Sequence, residues 1–121
     1  MTDEKTYTPA EIGQHLAMAL PAWDYAEGCL RRQYRTSGWK GALLVANTIG
    51  HLAEAAWHHP DLKVSYDSVV VDLKTHSANG ITDKDFELAR KIEDTVQWRP
   101  AVGSALEGTP DDPRFRYLYY D

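Results

Sequence analysis

The sequence predicts an α+β domain: a four-stranded antiparallel sheet with three helices on one face, in the order α-β-β-α-β-β-α. Three observations carry this. Apolar residues recur at helical spacing in three separate segments. Between those segments lie two pairs of short stretches rich in β-branched and aromatic residues. Proline, glycine and capping residues fall at the boundaries.

The first helix starts at Thr8-Pro9-Ala10-Glu11. Thr8 caps, Pro9 suits the first helical position and Glu11 completes a capping box. Ile12, Leu16, Ala19 and Leu20 form its apolar stripe, and Pro21 ends it. Residues 22–36 follow, broken at Glu27-Gly28, where glycine supplies the positive φ of a tight hairpin turn. Trp23, Tyr25, Leu30 and Tyr34 favour strands on either side.

Ser37 is placed to cap the second helix. Ala42, Val45, Ala46, Ile49, Leu52, Ala53 and Ala56 repeat at helical spacing up to about Trp57, and Pro60 forbids continuation. A short strand over Val64–Tyr66 and a turn at Asp67-Ser68 come next. In the following strand Val69, Val71, Leu73 and Thr75 face one way, and Val70, Asp72, Lys74 and His76 the other. Asn79-Gly80 marks a turn. Thr82-Asp83-Lys84-Asp85 opens the third helix, with Leu88, Ala89, Ile92 and Val96 buried and Pro100 beyond its end.

Residues 1–98 are thus expected to form one domain. Residues 99–121 are a C-terminal extension, rich in proline and glycine up to residue 113, then RFRYLYYD. Phe115, Tyr117 and Tyr119 alternate, which predicts a short extra strand or an arm packed on or across the domain. Free tails are aromatic-poor.

Composition narrows the function. The 121 residues, 43% apolar and 26% charged, are a globular domain that buries its own core. A net charge of −5 disfavours a nucleic-acid surface. No apolar run approaches the ~20 residues of a membrane span. The opening MTDEKTYTPAE has no apolar segment and predicts no signal peptide. Cys29 is the one cysteine, which suits a cytoplasmic setting.

Three of the five histidines fall in WHHPDLKVSYDSVVVDLKTH, residues 57–76. Glu54 and His58 are four apart at a helix end and share a face. His59 lies just past that end, and His76 at the end of a strand. Imidazole exchanges protons near neutral pH, and a nearby carboxylate orients it or binds a substrate N–H. Two readings stand. In one, His58, His59, His76 and Glu54 converge on a site. In the other, the helix dipole accounts for His58 and His76 is a solvated strand residue.

A metal site on His51, Glu54 and His58 lacks any HExxH or ExxH pattern, and none is predicted. His51 and His15 read as helix-surface residues. Asp85 reads as a helix cap in T-x-x-D.

These residues carry a resemblance. The run Glu54-Ala-Ala-Trp-His58-His59-Pro60, then Tyr66 and Val69, then Leu73-Lys-Thr75-His76, then Gly80-Ile81-Thr82 and Asp85, resembles the pterin-4a-carbinolamine dehydratases. The match is gapless from Glu54 to about Glu93, and the resemblance spans roughly residues 8–98. It implies the same fold and a homodimer or homotetramer. It implies a pterin substrate, a 4a-hydroxytetrahydropterin, dehydrated to quinonoid dihydropterin in tetrahydrobiopterin-type cofactor recycling, with no bound cofactor and no metal. It implies that His58, His59 and His76 are catalytic and that Glu54, Thr75 and Asp85 are substrate-binding. The alternative is a non-catalytic dimerisation or assembly factor on the same fold. The sequence departs from the family at Trp57, where a polar residue is usual, at Leu62, and at Lys63-Val64-Ser65.

Overall fold

A computed structural model gives the fold and describes residues 4–121. Residues 1–3, the start of the stretch read as lacking a signal peptide and of the expected domain, lie outside the described residues. The elements are α1 (Pro9–Ala19), β1 (Asp24–Ala26), β2 (Cys29–Arg35), α2 (Trp39–Ala56), β3 (Asp61–Ser65), β4 (Ser68–Leu73) and α3 (Asp83–Val96). One turn of 3₁₀ helix, His76–Ala78, joins β4 to α3. The expected order α-β-β-α-β-β-α is the order observed. The strands form one antiparallel sheet, β1-β2-β4-β3.

The capping box at Thr8 forms, with Thr8 and Glu11 each accepting the other's backbone N–H. Glu27 and Gly28 both take positive φ, 52° and 79°, the geometry a two-residue hairpin between twisted strands requires. Leu30 and Tyr34 on β2 and Val69, Val71 and Leu73 on β4 face a core closed by Ile12 and Leu16 of α1, Val45 and Ile49 of α2, and Ala89 and Ile92 of α3. The other sheet face stays partly open. There Arg31 and Asp72 stand opposite each other in the register and pair bidentately at 2.7 and 3.0 Å.

Two expectations are corrected. Ser37 does not cap α2: Gly38 holds that position without a side-chain cap, and the Ser37 hydroxyl donates to the Arg116 carbonyl at 2.7 Å. β3 begins at Asp61 rather than Val64, and its turn is Tyr66-Asp67, because Ser65 pairs with Ser68. That register sets Leu62 against Val71 and Val64 against Val69. In the C-terminal arm the deeply buried residue is Leu118, 1% exposed, while Phe115 is 69% exposed and Tyr117 41% exposed. The arm runs antiparallel past the end of β2. Tyr119 N–H donates to Arg35 O, Ser37 N–H donates to Tyr117 O, and Thr36 bridges to Leu118.

The arm lies so close to α2 that a Cβ on Gly41 would sit 2.6 Å from the Tyr117 carbonyl oxygen. Backbone cannot yield as a side-chain tip does. Gly41→Ala is therefore expected to push the arm off, despite alanine's better helix propensity, at a net cost of about 1–3 kcal/mol. Limited proteolysis checks this: cleavage after Arg114 or Arg116 should accelerate, and unchanged cleavage would show that the arm is not held there.

Candidate active site

The site is built where α2 ends and α3 begins. Trp57 takes a left-handed conformation, φ 51°. Trp57 N–H donates to Glu54 O, and His58 N–H to Ala53 O. These two bonds are a Schellman ending. The reversal swings His58 and His59 off the helix axis, so Glu54 and His58 do not pair as their four-residue spacing suggests. Glu54 Oε1 instead lies 2.7 Å from His59 Nε2.

His58 points the other way. Its Nε2 is 2.7 Å from Asp85 Oδ1. Asp85 is fully buried on the first turn of α3. Its Oδ2 accepts the Thr82 backbone N–H at 2.9 Å and the Thr75 hydroxyl at 2.7 Å. Since Thr75 spends its proton on Asp85, it accepts from the Thr82 hydroxyl, 2.7 Å away. Thr82 in turn accepts the Lys84 N–H. The T-x-x-D cap is present, and the same carboxylate also holds a histidine. Sequence periodicity assigned it the first task alone.

His58, Asp85, Thr75 and Thr82 thus share one network, and His59 and Glu54 form a second. His76 is in neither. It is exposed and opens the 3₁₀ turn, directly after Thr75, in a loop closed by paired backbone bonds between Thr75 and Gly80. Thr75 and Asp85 are 2% and 0% exposed, so they lie behind His58 rather than at the surface. The His59–Glu54 pair is open to solvent, 47% and 67% exposed, and screening makes it an orienting contact more than a stabilising one.

An open depression of ≈ 430 Å³ adjoins His58. Leu52, Ala56, Trp57, Lys84 and Leu88 line it with that histidine, and its volume suits a small bicyclic ligand. Two other depressions, ≈ 380 Å³ between α1 and α3 and ≈ 600 Å³ in the loop after α3, lie away from the histidine pair.

The remaining candidates fall elsewhere. His51 is an exposed helix residue. His15, expected on the helix surface, is half-buried and stacks on Phe86 at 3.8 Å. Among the described residues no three His, Cys, Asp or Glu side chains are grouped to hold a metal ion. Burial and then the Asp72 carboxylate push the Cys29 thiol up, away from the thiolate a nucleophile needs.

Comparison with known proteins agrees with this architecture. A family model described as pterin 4 alpha carbinolamine dehydratase matches residues 5–95. A relative from Aquifex aeolicus, bearing that dehydratase name, is 44% identical over 78 residues, 64% of this chain and 79% of its own. One from Chloroflexus aurantiacus, named likewise, is 39% identical over 87 residues, 72% of this chain and 92% of its own. A crystal structure from Brucella melitensis, described as a transcriptional coactivator/pterin dehydratase, is similar with a TM-score of 0.68 and 26% identity. It covers 76% of this chain and 98% of the other. The chain belongs to the pterin-4-alpha-carbinolamine dehydratase family.

Proposed function

We propose that the protein is a dehydratase that converts a 4a-hydroxytetrahydropterin to quinonoid dihydropterin and water. One observation carries the reading: two adjacent imidazoles, each held through Nε2 by a carboxylate, the first of them, His58, lining a depression of suitable size. With Nε2 donating to its carboxylate, each ring presents Nδ1 for proton exchange. One imidazole takes the N5 proton, and the N–H electron pair forms the N5=C4a bond. The C4a–O bond breaks, and the departing hydroxyl takes a proton from the other ring to leave as water. Both proton transfers suit imidazole near neutral pH.

His58, His59 and His76 are the catalytic set in this reading. Glu54 orients His59, and Asp85 and Thr75 position His58. His58→Ala and His59→Ala are each expected to lower kcat by about 10²–10⁴-fold, and His76→Ala to lower it as well. Following quinonoid dihydropterin formation by absorbance checks this. Equal turnover by the wild type and all three variants would sink the site assignment.

A second reading, a dimerisation or assembly role, has its own support. Trp39, Leu43 and Leu44 on α2 are 49%, 41% and 47% exposed and make an apolar ridge. Such a ridge suits a protein surface, a second copy of the chain included, in a homodimer or homotetramer. No helix among the described residues is long and apolar enough to cross a membrane. The lone half-buried Cys29 and the net charge of −5 support a cytoplasmic protein that does not bind nucleic acid.

A further inference from the structure

Trp57 is costly where it stands. It is 76% exposed. Its φ of 51° puts a bulky side chain in the left-handed position of a Schellman ending, where glycine is the usual residue. Ending α2 needs neither an indole nor this strain. What the residue gains is location. The indole meets His59 edge-on at 4.9 Å and 83°, and it lines the ≈ 430 Å³ depression together with His58. Leu52, Ala56 and Leu88 add apolar surface to that depression, and Lys84, Glu87 and Lys91 add charge.

We propose that Trp57 is the stacking platform for the planar ring of the pterin, an assignment that rests on the dehydratase reading. A pterin is apolar on its faces and polar around its edge. The indole offers a face of the first kind beside the two imidazoles. Charged side chains around the same depression are placed to meet the edge. Strain kept at a ligand-binding position is a known use of the left-handed region.

The test pairs kinetics with stability. Trp57→Gly should raise KM about tenfold, the order base–aromatic stacking confers, with a much smaller change in kcat. Trp57→Phe, which keeps an aromatic face, should retain most of the affinity. Trp57→Gly should also raise Tm by roughly 3–6 °C, because glycine relieves the left-handed strain. A purely structural tryptophan would do the reverse, losing Tm with KM unchanged, and that result overturns the proposal. So does a changed sedimentation coefficient in Trp57→Gly, which would assign the indole to a subunit contact. Binding of a tetrahydropterin lacking the 4a-hydroxyl, read by tryptophan fluorescence, separates this claim from the one beneath it. A wild type without turnover sinks the dehydratase reading, and quenching lost in Trp57→Phe then decides the platform alone. A wild type with turnover and an unaltered KM in Trp57→Gly sinks the platform only.

Discussion

Asp85→Ala is expected to cost about 2–4 kcal/mol of stability and to remove most dehydratase turnover, by one stroke at two levels. The Asp85 half of the α3 capping box is lost, worth up to about 1 kcal/mol, while Thr82 still caps the Lys84 N–H. The Thr75 hydroxyl, 2% exposed, and the His58 ring then lack their acceptor, at about 1–3 kcal/mol for a buried polar group left unpaired. Asp85→Asn separates the levels. The Thr82 N–H and the Thr75 hydroxyl both donate to Oδ2, and the backbone N–H cannot reverse, so the amide oxygen must stay there. The amide NH₂ therefore replaces Oδ1 and faces His58 Nε2. That nitrogen must then accept, and the ring proton moves to Nδ1. The variant should fold, with turnover reduced about 10²–10⁴-fold by the wrong tautomer. Urea unfolding with steady-state kinetics checks both. Near-normal activity in Asp85→Asn would show that the His58 tautomer does not matter.

Glu93→Ala should be the most destabilising change in the molecule, at about 3–5 kcal/mol. Arg32 sits on the core face of β2, only 3% exposed. Its Nε and one terminal nitrogen donate to Glu93 at 2.9 and 3.1 Å, and that same terminal nitrogen donates to Asp121 at 2.9 Å. Glu93 also accepts the Tyr34 hydroxyl at 2.7 Å and the Trp23 indole N–H at 3.0 Å. Removing the carboxylate leaves the buried guanidinium only the exposed Asp121 as an ion partner and takes the acceptor from Arg32 Nε, the Tyr34 hydroxyl and the Trp23 indole. Replacing Arg32 and Glu93 together by apolar residues should recover much of the loss.

The same carboxylate sets an acid limit. Burial alone would raise its pKa, but the hydrogen bonds from Arg32, Tyr34 and Trp23 hold it below the usual range. Its contribution is thus present above the unfolded value of about 4.3 and is lost as pH falls through the lower folded value. Acid unfolding of the wild type should be steeper there than that of Glu93→Gln. Coincident curves would contradict this.

Much of the fold is written in local signals. Thr8-Pro9, Glu27-Gly28, Asn79-Gly80 and Thr82 mark boundaries because caps and turns depend on a few neighbouring residues. What stayed hidden depends on distance. In LRRQYR the alternation of Leu30 and Tyr34 puts Arg32 on the core face, yet nothing local marks its partner Glu93, 61 residues away. Leu118 is buried because β2 ends where the arm passes, which no alternation in RFRYLYYD reveals.

The site was legible in part. The residues suggested two histidines at a helix exit and a third at a strand end, and the family resemblance implied that they form a site. The left-handed turn at Trp57 then re-paired them. Glu54 serves His59 rather than His58, and Asp85, a cap by its spacing, serves His58.

In the proposed reaction this histidine pair, set by its carboxylates, expels water from a pterin. Stopped-flow absorbance of quinonoid dihydropterin formation from a 4a-hydroxytetrahydropterin tests it most directly, with wild type, His58→Ala and buffer side by side. Dehydration well above the spontaneous rate is expected for wild type, with a loss of about 10²-fold or more in His58→Ala. A wild-type rate equal to that in buffer would contradict it.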